Sequence, residues 1–351
     1  MKLCKLEDLK GNETVARAVY TRDFTILLSE GTKLKPDYIE KLREMEIKEI
    51  YVEEEKIYDT EEIRILTDDI EKKYKRKVRS ILEKHTYHQN KDLIELSNTA
   101  DNIITNILQE KEVVEKIYDI KERNADVYEH SLSVCTLSTL VALKLGIDQK
   151  KIHDIGVGCL LHDLGLRYLT VNYENRFVKD LDEVEASEYK KHPIYGYSSL
   201  KSEEWISDVA KNVILYHHER LDGSGYPLKA TEIPMEAKIA ACCDTFDEII
   251  CGIGYGRSKV YEAVEYLKNF KNILFDGKIV DVFLEFTAVY PVGTIVMTNR
   301  GEEAIVVRQN AHFPDRPVIK LLKDKDGNNM TQESTKDLLE EKSIFIEGVK
   351  Q

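Results

Sequence analysis

Five of the nine histidines in this chain of 351 residues, together with two aspartates, lie where predicted helices could turn them inward. Imidazole nitrogens and carboxylate oxygens are ligands for hard-to-borderline divalent metal ions. Each residue alone could equally be a hydrogen-bonded residue of the core. Taken together, they favour one or two ions held between four or five helices. The candidate ligands are His130, His162, Asp163, His192, His217, His218 and Asp244.

The chain contains two His-Asp pairs, and we expect only one of them to face such a site. His162-Asp163 follows an apolar stretch of a predicted helix, and Gly165 just after it is a helix stop signal. His153-Asp154 lies nine residues earlier, about 2.5 turns of helix, so the two pairs point to opposite sides. We therefore expect His162-Asp163 to be buried and His153-Asp154 to be solvated.

The two aspartates suggest what the ions would do. Asp163 has two carboxylate oxygens and could bridge two ions, and Asp244 lies in an apolar helix, where a carboxylate is costly unless it is paired or metal-bound. A water held between two ions loses its proton near neutral pH, and both ions can bind phosphoryl oxygens. The set predicts metal-assisted hydrolysis of a phosphoester, without a serine, cysteine or lysine nucleophile.

The order of these residues, and above all the run HHERLDGSGYP from His217 to Pro227, resembles the HD-GYP family of HD-superfamily phosphodiesterases. The resemblance implies an HD-type helical bundle, two divalent ions (iron or manganese), and hydrolysis of cyclic di-GMP to linear pGpG and/or GMP through a metal-bridging hydroxide. It makes His162 and Asp163 the catalytic pair. One ion would be held by His130, His162, Asp163 and Asp244, and the other by Asp163, His192, His217 and His218.

The resemblance also leaves a third ion open. Some members of the family bind one with an acidic residue four positions before the first histidine, which is Asp126 here. The spacing places Asp126 on the same helix face as His130. An ordinary carboxylate at the start of a helix is the alternative.

Two departures from the family pattern concern the substrate phosphates. The family has a phosphate-contacting lysine where this chain has Leu166, so we expect Leu166→Lys to raise kcat/KM. The family also has an Arg-Pro-Tyr segment that aligns here with Ile253, Gly254 and Tyr255. Substrate contacts would instead come from nearby cations and the glycine-rich loop: Arg167, Lys179, Lys191, Arg220, Asp222, Gly223, Gly225, Tyr226 and Pro227.

Three other functions remain as alternatives. Loss of phosphate contacts would suit a receptor that binds a cyclic dinucleotide without cleaving it, although a receptor has no need of seven metal ligands. An enzyme of this family acting on another cyclic dinucleotide, such as cyclic GMP-AMP, is the second. An HD hydrolase of nucleoside triphosphates or alarmones is the third, and the paired histidines with their Gly-Tyr-Pro loop argue against it.

Composition restricts the partners and the compartment. A net charge of −13, with 33% charged residues, argues against a nucleic-acid or acidic-membrane binder, which needs a broad basic face. The six cysteines form no CxxC pair or regular framework, which is typical of a reducing compartment. No signal peptide and no run of 18 apolar residues is evident. We expect a cytoplasmic protein.

Four segments must position the site. Residues 1–58 predict a small α/β module with a helix from Pro36 that buries Ile39, Leu42 and Met45. Residues 59–112 predict a charged helical connector whose apolar stripe either dimerises or faces the core of its own chain. The remaining segments are the catalytic domain, 113–285, and a small antiparallel β unit, 286–351. We expect a fragment of residues 113–285, if soluble, to keep its metals.

Overall fold

The computed structural model describes residues 2–16, 18–20, 26–53, 60–85, 93–110, 112–174, 176–330 and 332–350. The chain divides into two compact units, Met1–Asp59 and Thr60–Gln351. The described residues of the second unit include ten α-helices, and its last part is a β-sheet, as predicted. No helix among the described residues is both long and apolar enough to cross a bilayer.

The first unit is a small α/β module. Its strands pair antiparallel, β1 (Lys2–Lys5) with β4 (Glu49–Val52) and β2 (Val19–Tyr20) with β3 (Ile26–Leu28). Helix α1 (Pro36–Glu44) begins at its proline and buries Ile39 and Leu42, as expected. The expectation for Met45 is wrong, because this residue follows the end of the helix and is 47% exposed.

The second unit packs its helices around one large apolar core. The core is continuous from the segment before the predicted catalytic domain to Val289, just after its last helix. The helices are α2 (Asp68–His85), α3 (Glu95–Gln109), α4 (Val127–Lys144), α5 (Gln149–Leu161), α6 (Glu183–Tyr189), α7 (His192–Leu200), α8 (Asp208–Tyr216), α9 (Met235–Cys251), α10 (Val260–Asn269) and α11 (Gly277–Phe286).

Helices α2 and α3 are part of this core. Their apolar stripe, which includes Val78, Ile81, Leu96, Ile103 and Ile107, is at most 3% exposed and belongs to the same cluster as the later helices. Homodimerisation through this stripe within residues 59–112 is therefore not what the structure shows. The stripe is already covered by the chain itself, which is the alternative stated above.

The C-terminal sheet has the strand order β8-β7-β6-β5-β9, and every pairing is antiparallel. Asp119, which is 5% exposed, ties this sheet to the helices. Its carboxylate accepts hydrogen bonds from Ile63 N, Val292 N and Gln309 Nε2, each at 2.8 Å. The strands are β5 (Ile295–Thr298), β6 (Glu303–Asn310), β7 (Phe313–Lys323), β8 (Thr335–Asp337) and β9 (Ile346–Val349).

Candidate metal centre

Five segments of the second unit bring the seven candidate ligands together. His130 lies in the first turn of α4, and His162-Asp163 opens a 3-10 segment, His162–Tyr168, directly after α5. His192 is the first residue of α7, His217-His218 follows α8, and Asp244 lies in the middle of α9. All seven side chains are at most 4% exposed. Helix ends and one helix interior thus converge on a single buried point.

Asp163 stands between two sets of histidines. Its Oδ2 lies 3.5 Å from His130 Nε2 and 3.4 Å from His162 Nε2. Its Oδ1 lies 3.3 Å from His192 Nε2 and 3.9 Å from His217 Nε2. One oxygen therefore faces each set, which is the arrangement that a carboxylate bridging two ions requires.

The histidines are held with Nε2 turned inward. The Nδ1 atoms of His162, His192 and His217 donate to main-chain carbonyls of Cys159 (2.7 Å), Tyr189 (2.8 Å) and Ile214 (3.0 Å). A carbonyl can only accept, so Nδ1 carries a proton in each ring, and when the ring is neutral its Nε2 lone pair faces the site. Hydrogen bonds of this kind, on the side of the ring away from the metal, orient histidines that bind metals.

The Nε2 atoms lie too close together to be left without a cation. His130 Nε2 and His162 Nε2 are 3.3 Å apart, and His192 Nε2 and His217 Nε2 are 3.2 Å apart. In neutral rings protonated at Nδ1, neither Nε2 of a pair can donate to the other. Two ligands bound to one ion at about 2.1 Å, at angles of roughly 90 to 110°, stand about 3.0 to 3.4 Å apart. The spacing of both pairs fits a divalent ion between them.

The burial of the histidines and a carboxylate oxygen without a hydrogen-bond partner also support a metal site here. Burial lowers the pKa of His217 to about 3 and also lowers the pKa values of His192 and His218, which keeps these rings in the neutral form that binds metals. Asp244 Oδ1 is 3.0 Å from His130 Nε2, but its Oδ2 is buried without a hydrogen-bond partner. A buried carboxylate oxygen is costly unless a cation or a donor meets it, so the residues present fit divalent metal ions.

A carboxylate that the sequence analysis missed supports His130 from behind. Asp247 Oδ2 accepts from His130 Nδ1 at 2.7 Å, and Oδ1 accepts from Ser133 Oγ at 2.5 Å. The buried guanidinium of Arg123 also donates to Asp247. Asp247 is fully buried in α9, one turn after Asp244. Two aspartates one turn apart in an apolar helix could have pointed to Asp247 in the sequence, because a second buried carboxylate needs a partner of its own.

Asp126 is not placed as a ligand of a third ion. It is the N-cap of α4, where Oδ1 accepts from Tyr128 N at 3.1 Å and from Glu129 N at 3.0 Å. Its Oδ2 lies 2.7 Å from Lys75 Nζ. Both oxygens are therefore engaged, and the alternative of a carboxylate at a helix start describes Asp126 better.

The basic residues expected to contact phosphate are engaged in contacts with other parts of the protein. Arg167 donates to the carbonyl of Leu82, Lys191 pairs with Glu188 at 2.9 Å, and Lys179 lies 4.7 Å from the centre of the Phe177 ring. Arg220 is buried, and it donates to the carbonyls of His217 and Glu219 and to Thr245. Arg220 thus holds the loop that follows the paired histidines rather than facing solvent.

The side chain of Leu166 is buried. It is 3% exposed and packs with Leu181 and Tyr189 in a small apolar cluster, against which Tyr226 also packs. A lysine at this position would place its ammonium group in that cluster. The 3-10 segment after Asp163 turns the side chain inward.

The glycine-rich loop does reach the metal ligands. The ring of Tyr226 stacks on His218 with centroids 4.5 Å apart. A Cβ on Gly225 would lie 2.5 Å from His218 O and from Arg220 N, so only glycine allows this approach. Asp222 is exposed and caps Ser224 N at 2.9 Å, and Gly223 has a positive φ of 76°. Pro227 follows Tyr226 through a cis peptide bond.

The other His-Asp pair lies outside the cluster, as expected, but it is not solvated. His153 is half-buried, and its Nε2 lies 3.1 Å from Ser97 Oγ and 3.6 Å from Asp101 Oδ1, both in α3. The expectation of solvation failed because α3 packs over this side of α5. Helical spacing predicted that this pair faces away from the cluster, but it did not predict that α3 packs over that side of α5.

One more buried acid lies beside the candidate ligands. Glu248 is 2% exposed, and its Oε1 is 4.0 Å from His218 Nε2. Burial, followed by the negative charge of Asp244, raises the pKa of Glu248 well above its ordinary value. The sequence analysis missed Glu248, although its i,i+4 spacing from Asp244 places both on one face of α9.

Comparisons with known proteins agree with this geometry. Residues 112–279 match the family model of the HD domain, and residues 295–350 match that of a KOW domain associated with HD domains. A cyclic di-GMP phosphodiesterase of Pseudomonas aeruginosa is 28% identical over 234 residues, which cover 66% of this chain and 56% of that protein. The cyclic di-GMP phosphodiesterase response regulator RpfG of Xanthomonas campestris is 36% identical over 149 residues, 41% of this chain and 39% of that protein. The chain thus spans about half or less of these two relatives.

A solved structure shares the fold. The HDG"Y"P protein of Bdellovibrio bacteriovorus superposes with a TM-score of 0.56 at 19% sequence identity, covering 80% of this chain and 97% of that one. The matched HD domain agrees with the helical fold of this chain. It also agrees with the buried cluster of histidines and aspartates. Residues 112–279 match an HD domain, and these likenesses support placing the chain in the HD-GYP family of HD-domain proteins.

Proposed function

We propose that this protein is a metal-dependent phosphodiesterase that hydrolyses cyclic di-GMP to linear pGpG and/or GMP. The observation that carries the proposal is Asp163, whose two oxygens face two separate sets of histidines at 3.3 to 3.9 Å. The matched cyclic di-GMP phosphodiesterases support the substrate.

Two divalent ions, which we propose to be iron or manganese, would lower the pKa of a water and offset charge on phosphoryl oxygens. His130, His162 and Asp244 would hold one ion, His192, His217 and His218 the other, and Asp163 both. The main-chain carbonyls behind the rings fix the ligands before substrate arrives. Tyr226, stacked on His218, would offer its ring edge as one wall of the substrate pocket.

The basic residues first expected at the phosphates contribute less in this proposal. Their contacts with Glu188, Phe177 and main-chain carbonyls account for their positions. Positive charge at the phosphates would therefore come mainly from the metal ions. We also propose a cytoplasmic protein, in line with six cysteines that are all free.

The test is hydrolysis by the full chain reconstituted anaerobically with Mn²⁺ or Fe²⁺. We expect turnover of cyclic di-GMP and its loss in Asp163→Ala, together with most of the bound metal. Asp154→Ala is the matched control, because this acid belongs to the His-Asp pair packed on α3, and it should keep both metal and activity. Binding of cyclic di-GMP without cleavage in the metal-loaded protein would point to the receptor function instead. Faster cleavage of cyclic GMP-AMP would change the substrate but not the chemistry.

A further inference from the structure

A lysine from outside the matched HD domain reaches the turn that carries the first candidate metal ligand. Lys75 lies in α2, upstream of residues 112–279, and its side chain is half-buried. Its Nζ lies 2.7 Å from Asp126 Oδ2 and 2.6 Å from Glu129 Oε2. Asp126 caps α4, and Glu129 directly precedes His130. Lys75 therefore joins two acids of the turn from which His130 projects.

A line of alternating charges leads from Lys75 to the His130 ring. Glu129 is 4% exposed, and its Oε1 lies 3.7 Å from Arg123 Nε. Arg123 donates to Asp247, and Asp247 Oδ2 accepts from His130 Nδ1 at 2.7 Å. Arg123 Nε is buried without a hydrogen-bond partner, since 3.7 Å is too long for one. The guanidinium is thus bonded to Asp247, while Lys75 meets the charge of Glu129.

Removal of the Lys75 charge would change how Arg123 is shared. A buried carboxylate that loses its cation is costly, and it attracts a neighbouring cation in its place. Glu129 would then compete with Asp247 for Arg123, whose free Nε hydrogen lies on the side of Glu129. Because Asp247 orients His130, this competition would move the ring from the position that a bound metal needs.

Helix α2 also holds the segment that carries two more ligands of the same proposed ion. Arg167 lies in the 3-10 segment that begins with His162-Asp163, and it donates to the carbonyl of Leu82. Leu82 follows Lys75 by about two turns, so both lie on one face of α2. By contrast, the Nδ1 atoms of the first two histidines of the other set donate to main-chain carbonyls of α6 and α8.

We propose that Lys75 is a positioning residue for the ion that His130 would help to hold. The proposal rests on the two-ion centre proposed above, and it makes the affinity of one ion depend on α2, a helix outside the matched HD domain. The other ion, beside His192 and His217, keeps supports of its own. Loss of the Lys75 charge therefore weakens one ion and spares the other. A displacement of α2 would have the same selective effect.

The test measures Mn²⁺ affinity on the full chain, by isothermal titration of chelator-stripped protein with Mn²⁺ alone. We expect two ions on wild type, one of which binds about tenfold more weakly in Lys75→Met, the lower end of the usual loss for such a supporting contact. Lys75→Arg restores a cation between the two carboxylates and should recover most of the lost affinity. Lys144→Met is the matched control, because Lys144 is a half-buried lysine at the other end of α4 that pairs with Glu285 at 3.0 Å. Lys144→Met should change neither affinity.

Two further variants identify the ion that is weakened. His217→Ala removes a ligand of one proposed ion, and His162→Ala removes a ligand of the other. Beside His217→Ala, where the His130 ion remains, Lys75→Met should lower Mn²⁺ affinity about tenfold. Beside His162→Ala it should change the affinity by less than about twofold, as independent sites do. An equal loss in both backgrounds would overturn the positioning role and leave Lys75 as a general support of the fold.

The outcomes separate this role from the proposed function. If Lys75→Met does not fold, Lys75→Gln replaces it, because an amide can still donate to a carboxylate and only the charge is lost. Unchanged affinity for both ions in the folded variant would overturn the role of Lys75, whereas hydrolysis by wild type would keep the phosphodiesterase. Selective loss of one ion in a chain that does not cleave cyclic di-GMP would do the reverse.

Discussion

At the scale of single residues, the metal centre depends on partners behind its ligands. Asp247 is the clearest case, because it orients His130 and is neutralised by the buried Arg123. We expect Asp247→Asn to weaken Mn²⁺ binding by about 10- to 100-fold, the usual effect of removing a residue that orients a metal-binding histidine. It should also lower the free energy of unfolding, since Arg123 then keeps a buried charge without its closest carboxylate.

Isothermal titration with Mn²⁺ and thermal unfolding check both effects of Asp247→Asn. Ser133→Ala is the control, because it removes one hydrogen bond to Asp247 and leaves the charge in place. Equal Mn²⁺ affinity in wild type and Asp247→Asn would show that His130 needs no such support.

A second residue-scale prediction reverses one made from the sequence. Leu166→Lys would place an ammonium group in the apolar cluster of Leu181 and Tyr189. Burying an unpaired charge costs several kcal/mol, so we expect a clear loss of stability and no gain in kcat/KM. Tyr168→Lys, at a position that is 54% exposed, should change the free energy of unfolding by no more than about 0.5 kcal/mol. A stable Leu166→Lys protein with raised kcat/KM would restore the first expectation.

At the scale of elements, the sequence predicted which candidate ligands come together better than it predicted their surroundings. The seven candidate ligands stood out because polar or charged residues in apolar helices need a partner there. The contacts of Arg167 and Lys191 with Leu82 and Glu188 were not predicted, because closeness in sequence to His162 or His192 does not fix where a long side chain points. Glu248 was not predicted as a neighbour of the candidate ligands, because that position depends on His218, which belongs to another segment of the chain.

Gly165 is another residue whose surroundings were not predicted from the sequence. It also gives a prediction for the contact between the 3-10 segment and α7. The sequence analysis read it as a helix stop, but a Cβ there would lie 1.9 Å from the carbonyl oxygen of His192 and 2.8 Å from Gly196 N. Backbone atoms cannot move aside as a flexible side chain can. We expect Gly165→Ala to push Asp163 and His192 apart, to cost about 1 to 3 kcal/mol or more, and to release metal.

Gly156→Ala is the matched control for Gly165→Ala. Its Cβ would meet only side-chain atoms, at 3.4 to 3.7 Å, which is ordinary contact. Alanine is favoured over glycine inside a helix by about 1 kcal/mol, so this variant should be as stable as wild type or more so. Thermal unfolding and elemental analysis compare the two. Retention of both stability and metal by Gly165→Ala would show that the segment can shift without harm.

At the scale of the whole molecule, the segment from Thr60 to the matched HD domain and the segment after that domain form one compact unit with it. Lys75 in α2 lies 2.6 Å from Glu129 and 2.7 Å from Asp126, beside the turn that carries His130. Tyr118 and Thr287 form a parallel bridge, and Asp119 links the chain near Ile63 to the sheet. The chain packs as two compact units, Met1–Asp59 and Thr60–Gln351, and the boundaries expected within the second unit, at residues 112 and 285, stay a prediction.

This packing reverses the expectation for a fragment of residues 113–285. Removing α2 and α3 would expose the apolar faces of α4 and α5 that they cover, and removing the sheet would leave Asp119 without two of its three donors. Exposed apolar surface of this size promotes aggregation and loss of the fold. We expect residues 113–285 to be insoluble or to bind metal poorly, whereas residues 60–351, which form one compact unit, should be soluble and bind as many Mn²⁺ ions as the full chain. Both fragments are expressed in parallel. Gel filtration then measures whether each is soluble and monomeric, and elemental analysis measures its Mn²⁺ content. A monomeric, folded 113–285 fragment with full Mn²⁺ content would show that the HD domain completes its own core, and that α2, α3 and the sheet are accessory to it.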